Sequence, residues 1–324
     1  MDVLLIGLGR WGEKHLRVLG EIGAAVWVAE VSAERRQWAV GHGADAHRVV
    51  EDYRAALDHV QAVDVVTPAD SHLAIAETCL RAGKHCFIEK PLTRTVAEAR
   101  RLVAVTEETG RVVQVGHIFR FHPVTAVLRQ ALAAGSIGAV RYAAGRFAGF
   151  KRPRTDVGVF HTDGIHYVDL FRHLLQREPT AVAALQRDFL GRGLDDYSVA
   201  MIDYGGVPAV IEANYFVPGT DRECLLVGER GSLVADYGAA TVILHSGEHR
   251  RRGSAWEAVD VGKEELPTGD GEPLRLELEA FLDACAGRHP PLVTIDDGML
   301  ALEVVEAASR AAQLGRSVRL AEVR

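Results

Sequence analysis

The residue best suited to moving a proton in this chain is Lys90. It lies in Glu89-Lys90-Pro91, directly after the apolar run His85-Cys86-Phe87-Ile88. Lysine is scarce here: the chain has only Lys14, Lys84, Lys90, Lys151 and Lys263, while arginine is abundant. A lysine can be tuned to give and take a proton, whereas arginine stays charged. A second concentration of chemistry is His161-Thr162-Asp163-Gly164-Ile165-His166-Tyr167-Val168-Asp169. On a helix, Asp163 and His166 share a face, as do His166 and Asp169. A carboxylate beside an imidazole orients it and stabilises its charged form, which suits a proton relay. Two other readings stay open. One is a capped helix with an interior histidine, and the other is a metal site from His161, His166, Asp169 and His173, although nothing else in the chain points to a metal.

A phosphate-binding turn stands at the start. Gly7-Leu8-Gly9-Arg10-Trp11-Gly12 follows the apolar Val3-Leu4-Leu5-Ile6 and opens an amphipathic segment. In a strand–turn–helix of this kind the first glycine permits the turn. The second admits a pyrophosphate, and the third lets helix and strand pack closely. The free amides of the helix N-terminus then face the phosphates. Glu30 ends the next apolar run and can accept hydrogen bonds from a ribose 2′-hydroxyl while repelling a 2′-phosphate, which favours NAD over NADP. Arg35 and Arg36 follow closely enough to keep NADP as the weaker alternative. Thr67-Pro68-Ala69-Asp70-Ser71-His72 ends a later apolar run, where Thr67, Pro68 and His72 are expected against the nicotinamide half of the cofactor. The alternative there is a plain capped turn. Glu89 and Lys90 are expected at the same carboxyl edge of the sheet, where ligands of open parallel sheets bind.

These residues need a particular scaffold. The spacing predicts strands over 2–6, 25–30, 46–49, 63–66, 86–88 and 112–115, with helices over 11–22, 32–40, 71–82 and 95–109. Strand–helix alternation implies βαβ units and a parallel sheet. After residue 118 the texture changes. Helices are expected over 122–134 and 163–175, and strands over 137–148, 180–188, 196–204, 207–217, 222–228, 231–236 and 240–245. Helices return at 273–286 and 297–313. The fold class is therefore α/β: a Rossmann domain over 1–118, then an α+β domain over 119–324 with a large, mainly antiparallel open sheet. The final helix is free to pack back on the first domain.

Composition removes several function classes. With 324 residues, 48% hydrophobic and 25% charged, the chain reads as globular. A net charge of −7 opposes broad nucleic-acid binding and does not favour an anionic membrane. The four cysteines are scattered without a CxxC pair, against a disulfide framework or zinc cage. Residue 3 already lies in a predicted strand, which leaves no room for a signal peptide, and no apolar run approaches a membrane span. A cytoplasmic location is the expectation.

Together the motifs resemble the glucose–fructose oxidoreductase/inositol dehydrogenase (Gfo/Idh/MocA) family. The resemblance rests on Gly7–Gly12, Thr67-Pro68 with His72, Glu89-Lys90-Pro91, Gln114-Val115-Gly116-His117-Ile118-Phe119-Arg120-Phe121-His122-Pro123 and Gly164-Ile165-His166-Tyr167-Val168-Asp169-Leu170. Val227-Gly228-Glu229-Arg230-Gly231-Ser232-Leu233 is similar to its late sheet motif. It implies a nicotinamide cofactor, a sugar, polyol or sugar-derivative substrate, and a homodimer or homotetramer through the C-terminal sheet. It maps the family's lysine onto Lys90 and its helix histidine onto His166, with Asp163 as the third catalytic candidate. Family members often carry an aspartate four residues before that histidine. Here that position is Thr162 and the aspartate is one residue later. Either Asp163 serves from its own position, or Thr162 binds substrate and Lys90 with His166 suffice.

Glu272-Pro273-Leu274-Arg275-Leu276-Glu277-Leu278, with Asp297-Gly298, resembles branches that oxidise nucleotide-linked or amino sugars. Lys151-Arg152-Pro153-Arg154 places cations where a phosphate or carboxylate could meet them, or forms only a solvated loop. Substrate contacts are thus expected from Arg120, Lys151, Arg154, Thr162 and His166. The implied reaction is reversible hydride transfer between a carbinol carbon and NAD. A redox-neutral glycosidase and a non-enzymatic NAD sensor are the rival classes.

Overall fold

The computed structural model describes residues 1–324. The chain divides into two compact units: residues 1–118 with 272–302, and residues 119–271 with 303–324. The second unit is therefore not the continuous 119–324 expected from sequence, because residues 272–302 cluster with the first.

The first unit holds a six-stranded parallel sheet: β1 (Asp2–Ile6), β2 (Ala25–Ala29), β3 (Val49–Val50), β4 (Ala62–Val65), β5 (His85–Glu89) and β6 (Val113–Gly116). Their order is β3-β2-β1-β4-β5-β6. The helices between them are α1 (Arg10–Glu21), α2 (Ala33–Gly41), α3 (Ala69–Arg81) and α4 (Val96–Thr109). Val3, Leu4 and Leu5 on β1 are fully buried on both faces, as central strands of parallel sheets are. The expected strand over 46–49 is instead a 3₁₀ turn followed by the two-residue β3. The first unit is completed by α7 (Pro273–Cys285), which packs on this sheet. Its Leu274, Leu278 and Phe281 lie along one helix face and join the core of Val3, Leu5, Leu19 and Phe87. The Phe281 ring meets Phe87 edge-on at 5.7 Å.

The second unit begins with α5 (Pro123–Ala133) and β7 (Val140–Gly149). A π-turn (Phe160–Gly164) then leads into α6 (Ile165–Leu175). Strands β8 (Ala181–Arg187), β9 (Tyr197–Tyr204), β10 (Val207–Asn214), β11 (Thr220–Gly228), β12 (Gly231–Asp236), β13 (Thr241–Arg252), β14 (Ala255–Leu266) and β15 (Val318–Arg319) complete a nine-stranded sheet. The order is β14-β13-β12-β11-β7-β10-β9-β8-β15, antiparallel except for the β7–β10 pair. Helix α8 (Ile295–Leu314) gives its first turns to one unit and the rest to the other. α6 is almost wholly buried beneath this sheet. Gly145 on β7 makes that approach possible, since a side chain there would collide with the Tyr167 ring. The Tyr167 hydroxyl donates to the Arg146 carbonyl at 3.1 Å, and Tyr204 donates to the Val168 carbonyl at 2.9 Å. Three strands escaped the sequence pattern: β13 runs on to Arg252 rather than ending near 245, β14 pairs with it along its whole length, and the two-residue β15 joins the far edge beside β8.

Candidate active site

In the first unit the glycine turn has the shape a dinucleotide needs. Gly7 adopts φ +95°, and a Cβ there would come within 2.6 Å of the Val66 carbonyl oxygen. At Gly12 a side chain would run into the Gly7 carbonyl. Beyond the Cβ position of Gly9 there is open space to 4 Å. α1 starts at Arg10 with no side-chain cap, so its first amides are available to an anion. The turn is braced from β2: the Leu8 amide donates to Glu30 Oε2 at 2.7 Å, and the Ser32 amide to Oε1 at 2.9 Å.

The two arginines that kept NADP open are both engaged elsewhere. Arg35 donates to the Leu8 carbonyl at 2.9 and 2.7 Å and stacks on Trp38. Arg36 donates to the carbonyls of Glu30 and Val31 and pairs with Glu51 at 3.0 Å. The residues present fit a dinucleotide, and they fit NAD better than a 2′-phosphorylated form.

Thr67 follows the end of β4 and His72 stands in the first turn of α3, where His72 ties two turns together. It is fully buried, with Nδ1 3.0 Å from the Pro91 carbonyl and Nε2 2.9 Å from the Thr67 carbonyl. It staples the β4 turn to the Glu89-Lys90-Pro91 turn rather than presenting itself to a cofactor. Burial, above all, holds its pKa down. Lys90 follows the end of β5, partly exposed, and its peptide to Pro91 is cis.

Glu89 faces inward. Its Oε2 accepts the Lys90 backbone amide at 3.0 Å, and its Oε1 accepts Trp11 Nε1 at 2.6 Å. His15 Nε2 lies 3.3 Å from the same Oε1, and His15 Nδ1 lies 2.8 Å from Asp64 Oδ2. Neither His15 nor Asp64 was expected at the site. Their one sequence signal is the i,i+4 spacing of Trp11 and His15 on α1, which turns both toward β5.

In the second unit His166 is 6% exposed and its ring packs against two others. Phe119 lies 4.8 Å from it and Phe147 5.2 Å, and the two phenyl rings are themselves 6.0 Å apart, so the three rings form a cluster. Tyr237 continues the stack beyond Phe119 at 4.4 Å, and the Arg222 guanidinium covers Phe147 at 3.3 Å. Lys151 Nζ stands 5.0 Å from the Phe147 centroid and pairs with Asp163 at 2.9 and 2.7 Å. Thr162, at the family's aspartate position, shares a 2.9 Å hydrogen bond with the Tyr215 hydroxyl. Burial, with the nearby Asp163 charge, pushes that phenol up to about 12, so it stays protonated. Phe119, Phe147, Tyr215 and Arg222 are the neighbours the sequence did not reveal, because nothing local marks which strand residues face a helix from elsewhere.

Three expected substrate contacts have partners within the chain. Arg120 is buried against Asp169, with Nε 2.8 Å from Oδ2, so it braces α6 instead of facing a ligand. The same pairing occupies one carboxylate of the metal alternative. Arg154 donates to Asp156 at 2.8 Å, and Lys151 is taken by Asp163. The basic loop is thus less cationic than its sequence implies.

Residues 1–117 match the Gfo/Idh/MocA oxidoreductase family, NAD-binding Rossmann fold, and residues 125–234 match the Gfo/Idh/MocA C-terminal domain. UDP-N-acetylglucosamine 3-dehydrogenase of Acidithiobacillus ferrooxidans is 31% identical over 94% of this chain and 94% of its own. Inositol 2-dehydrogenase 1 of Saccharopolyspora erythraea is 31% identical over 98% of this chain and 95% of its own. The solved structure of the Acidithiobacillus enzyme superposes with a TM-score of 0.83 at 28% identity, covering 97% of this chain and 98% of that one. No helix is long and apolar enough to cross a membrane. The relatives it matches are named as dehydrogenases of a nucleotide sugar and of inositols, and the chain belongs to the Gfo/Idh/MocA family and is an NAD-binding oxidoreductase.

Proposed function

We propose that the chain oxidises a secondary hydroxyl of a sugar or sugar derivative, with Lys90 and His166 handling the hydroxyl proton. The observation that carries this reading is the setting of His166. Its ring is packed against Phe119 and Phe147, and the Lys151–Asp163 pair borders the same Phe147 ring. A fixed imidazole beside an acid–amine pair can orient and deprotonate a hydroxyl.

When bound, NAD supplies the hydride acceptor. Residues 7–12 and Glu30 hold the cofactor, with Thr67 and Pro68 at its nicotinamide end. Either Lys90 or His166 removes the proton, and the other donates to the same oxygen and steadies its developing charge. Asp163 serves from its own position through Lys151, while Thr162 and Tyr215 offer hydroxyls for substrate.

Nucleotide-linked amino sugars and inositols are the first substrates to test, on the strength of the two relatives of 31% identity. Incubation with NAD and a panel of UDP-N-acetylglucosamine, myo-inositol and free sugars, followed by NADH absorbance, decides the class. Turnover of none of them overturns the reading, and release of a sugar without NADH points to a redox-neutral glycosidase.

A second copy is proposed to cover the open sheet. Tyr142, Leu185, Met201, Val210 and Val234 are exposed apolar residues on five of its strands, as an interface requires. Sedimentation equilibrium would read the dimer or tetramer. Four free cysteines fit a reducing, cytoplasmic setting.

A further inference from the structure

Within the first unit, three elements converge on a chain of charged groups that the reaction scheme does not use. Asp64 on β4 and His15 on α1 are 0% exposed, and Glu89 at the end of β5 is 7% exposed. They stand in line: Asp64 Oδ2 to His15 Nδ1 at 2.8 Å, then His15 Nε2 to Glu89 Oε1 at 3.3 Å. Glu89 Oε2 then receives the Lys90 amide at 3.0 Å. Lone buried charges are strongly unfavourable, and a charged imidazole between two carboxylates offsets the charge of both. Trp11, from the glycine turn, donates to Glu89 and meets the His15 ring edge-on at 5.8 Å.

We propose that His15 and Asp64 are positioning residues for Lys90: the charged imidazole keeps Glu89 in its carboxylate form and aimed at the Lys90 backbone. The proposal rests on the reading of Lys90 as a proton-handling residue. Burial opposes charging His15, but the Asp64 carboxylate overcomes it and carries His15 to about 10, with Glu89 helping. Burial by itself would raise the Glu89 carboxyl, and its hydrogen bond to His15 leads the effects that hold it low. The other charged or titratable groups facing Glu89 are Lys90 itself, Asp64 and, from α3, His72. β6 contributes only Gly116, which has no charge. Without the His15 cation Glu89 takes up a proton, and Lys90 then loses its negative neighbour. The lysine's own pKa falls, because an adjacent opposite charge is what favoured its charged form.

Lysine-selective ¹³Cε labelling reads this directly, since only five lysines are present and Lys90→Ala assigns the resonance. Glu89→Gln and His15→Gln are each expected to lower the Lys90 titration midpoint by about one pH unit, and the double variant by no more than either alone. An unmoved midpoint in either single variant overturns the proposal. Should His15→Gln not fold, Asp64→Asn is expected to move the midpoint in the same direction by less, and no movement is equally decisive. In the wild-type protein, ¹⁵N-histidine spectra should show His15 as imidazolium at neutral pH, and a neutral ring there overturns the proposal without any variant. Failure of the underlying reading looks different: Lys90→Ala would then turn over substrate normally, whatever the titrations show.

Discussion

Lys151 reaches back across twelve residues to hold the Asp163 carboxylate at both oxygens, 2.9 and 2.7 Å away. Asp163 is 3% exposed, so the lysine is its charge partner inside the protein. The pair gives the displaced aspartate of the π-turn before α6 an anchored position on the Phe147 ring that also borders His166. Asp163→Asn is therefore expected to lower kcat/KM by about ten- to a hundredfold through loss of a charge-assisted hydrogen bond, with NAD affinity unchanged. Steady-state kinetics beside NAD titration checks this, and a fall in NAD affinity alone would contradict it.

Lys90→Ala and His166→Ala should each reduce kcat by about 10²–10⁴-fold, the usual worth of a positioned acid or base. NAD binding, followed by fluorescence, should survive both. Normal turnover by either variant removes that residue from the proton-handling role.

Glu30→Ala should narrow the preference for NAD over NADP by about tenfold, because one carboxylate no longer repels a 2′-phosphate. Arg35 and Arg36 stay tied to backbone carbonyls, so the variant gains no ready phosphate ligand. The ratio of kcat/KM values for the two cofactors is the measurement, and an unchanged ratio contradicts the assignment.

Gly145→Ala tests the seat of α6. The Tyr167 ring fills the space a methyl group would take, so overpacking should cost about 1–3 kcal/mol in chemical denaturation. Wild-type stability would mean that the helix can shift without loss.

Stability should also depend on pH through His15. Its folded pKa is raised to about 10 from an ordinary 6.5, so the folded protein holds a proton that the unfolded chain has released. This contribution is complete below pH 6.5 and is lost as pH climbs towards 10. Melting temperature should fall over that window, and His15→Gln should flatten the slope. An equal slope in both proteins would show that His15 is not the source.

How far these features were legible in sequence follows from how local they are. The glycine turn, Glu30 and the run before Lys90 announce themselves because glycine needs and apolar strand runs are written in neighbouring residues. β14 did not, because it is exposed on nearly all its residues and so carries no hydrophobic period. The burial of His15 was equally silent: a histidine on an amphipathic helix looks the same whether it meets water or Asp64. Arg120 was misplaced for the same reason, since its partner Asp169 lies on another helix. The apolar face of α7 was visible as a period, but not the sheet on which it would lie.

That last helix also bears on how the polypeptide matures. Leu274, Leu278 and Phe281 fill the core of a sheet whose strands all lie before residue 117. A nascent chain emerging from the ribosome therefore presents the nucleotide-binding half with an uncovered apolar face until all but the last short strand of the other unit's sheet has been synthesised. Domains elsewhere fold in order of appearance. Here the earliest segment is the one that must wait, and a fragment ending at residue 118 would leave Phe87 without Phe281.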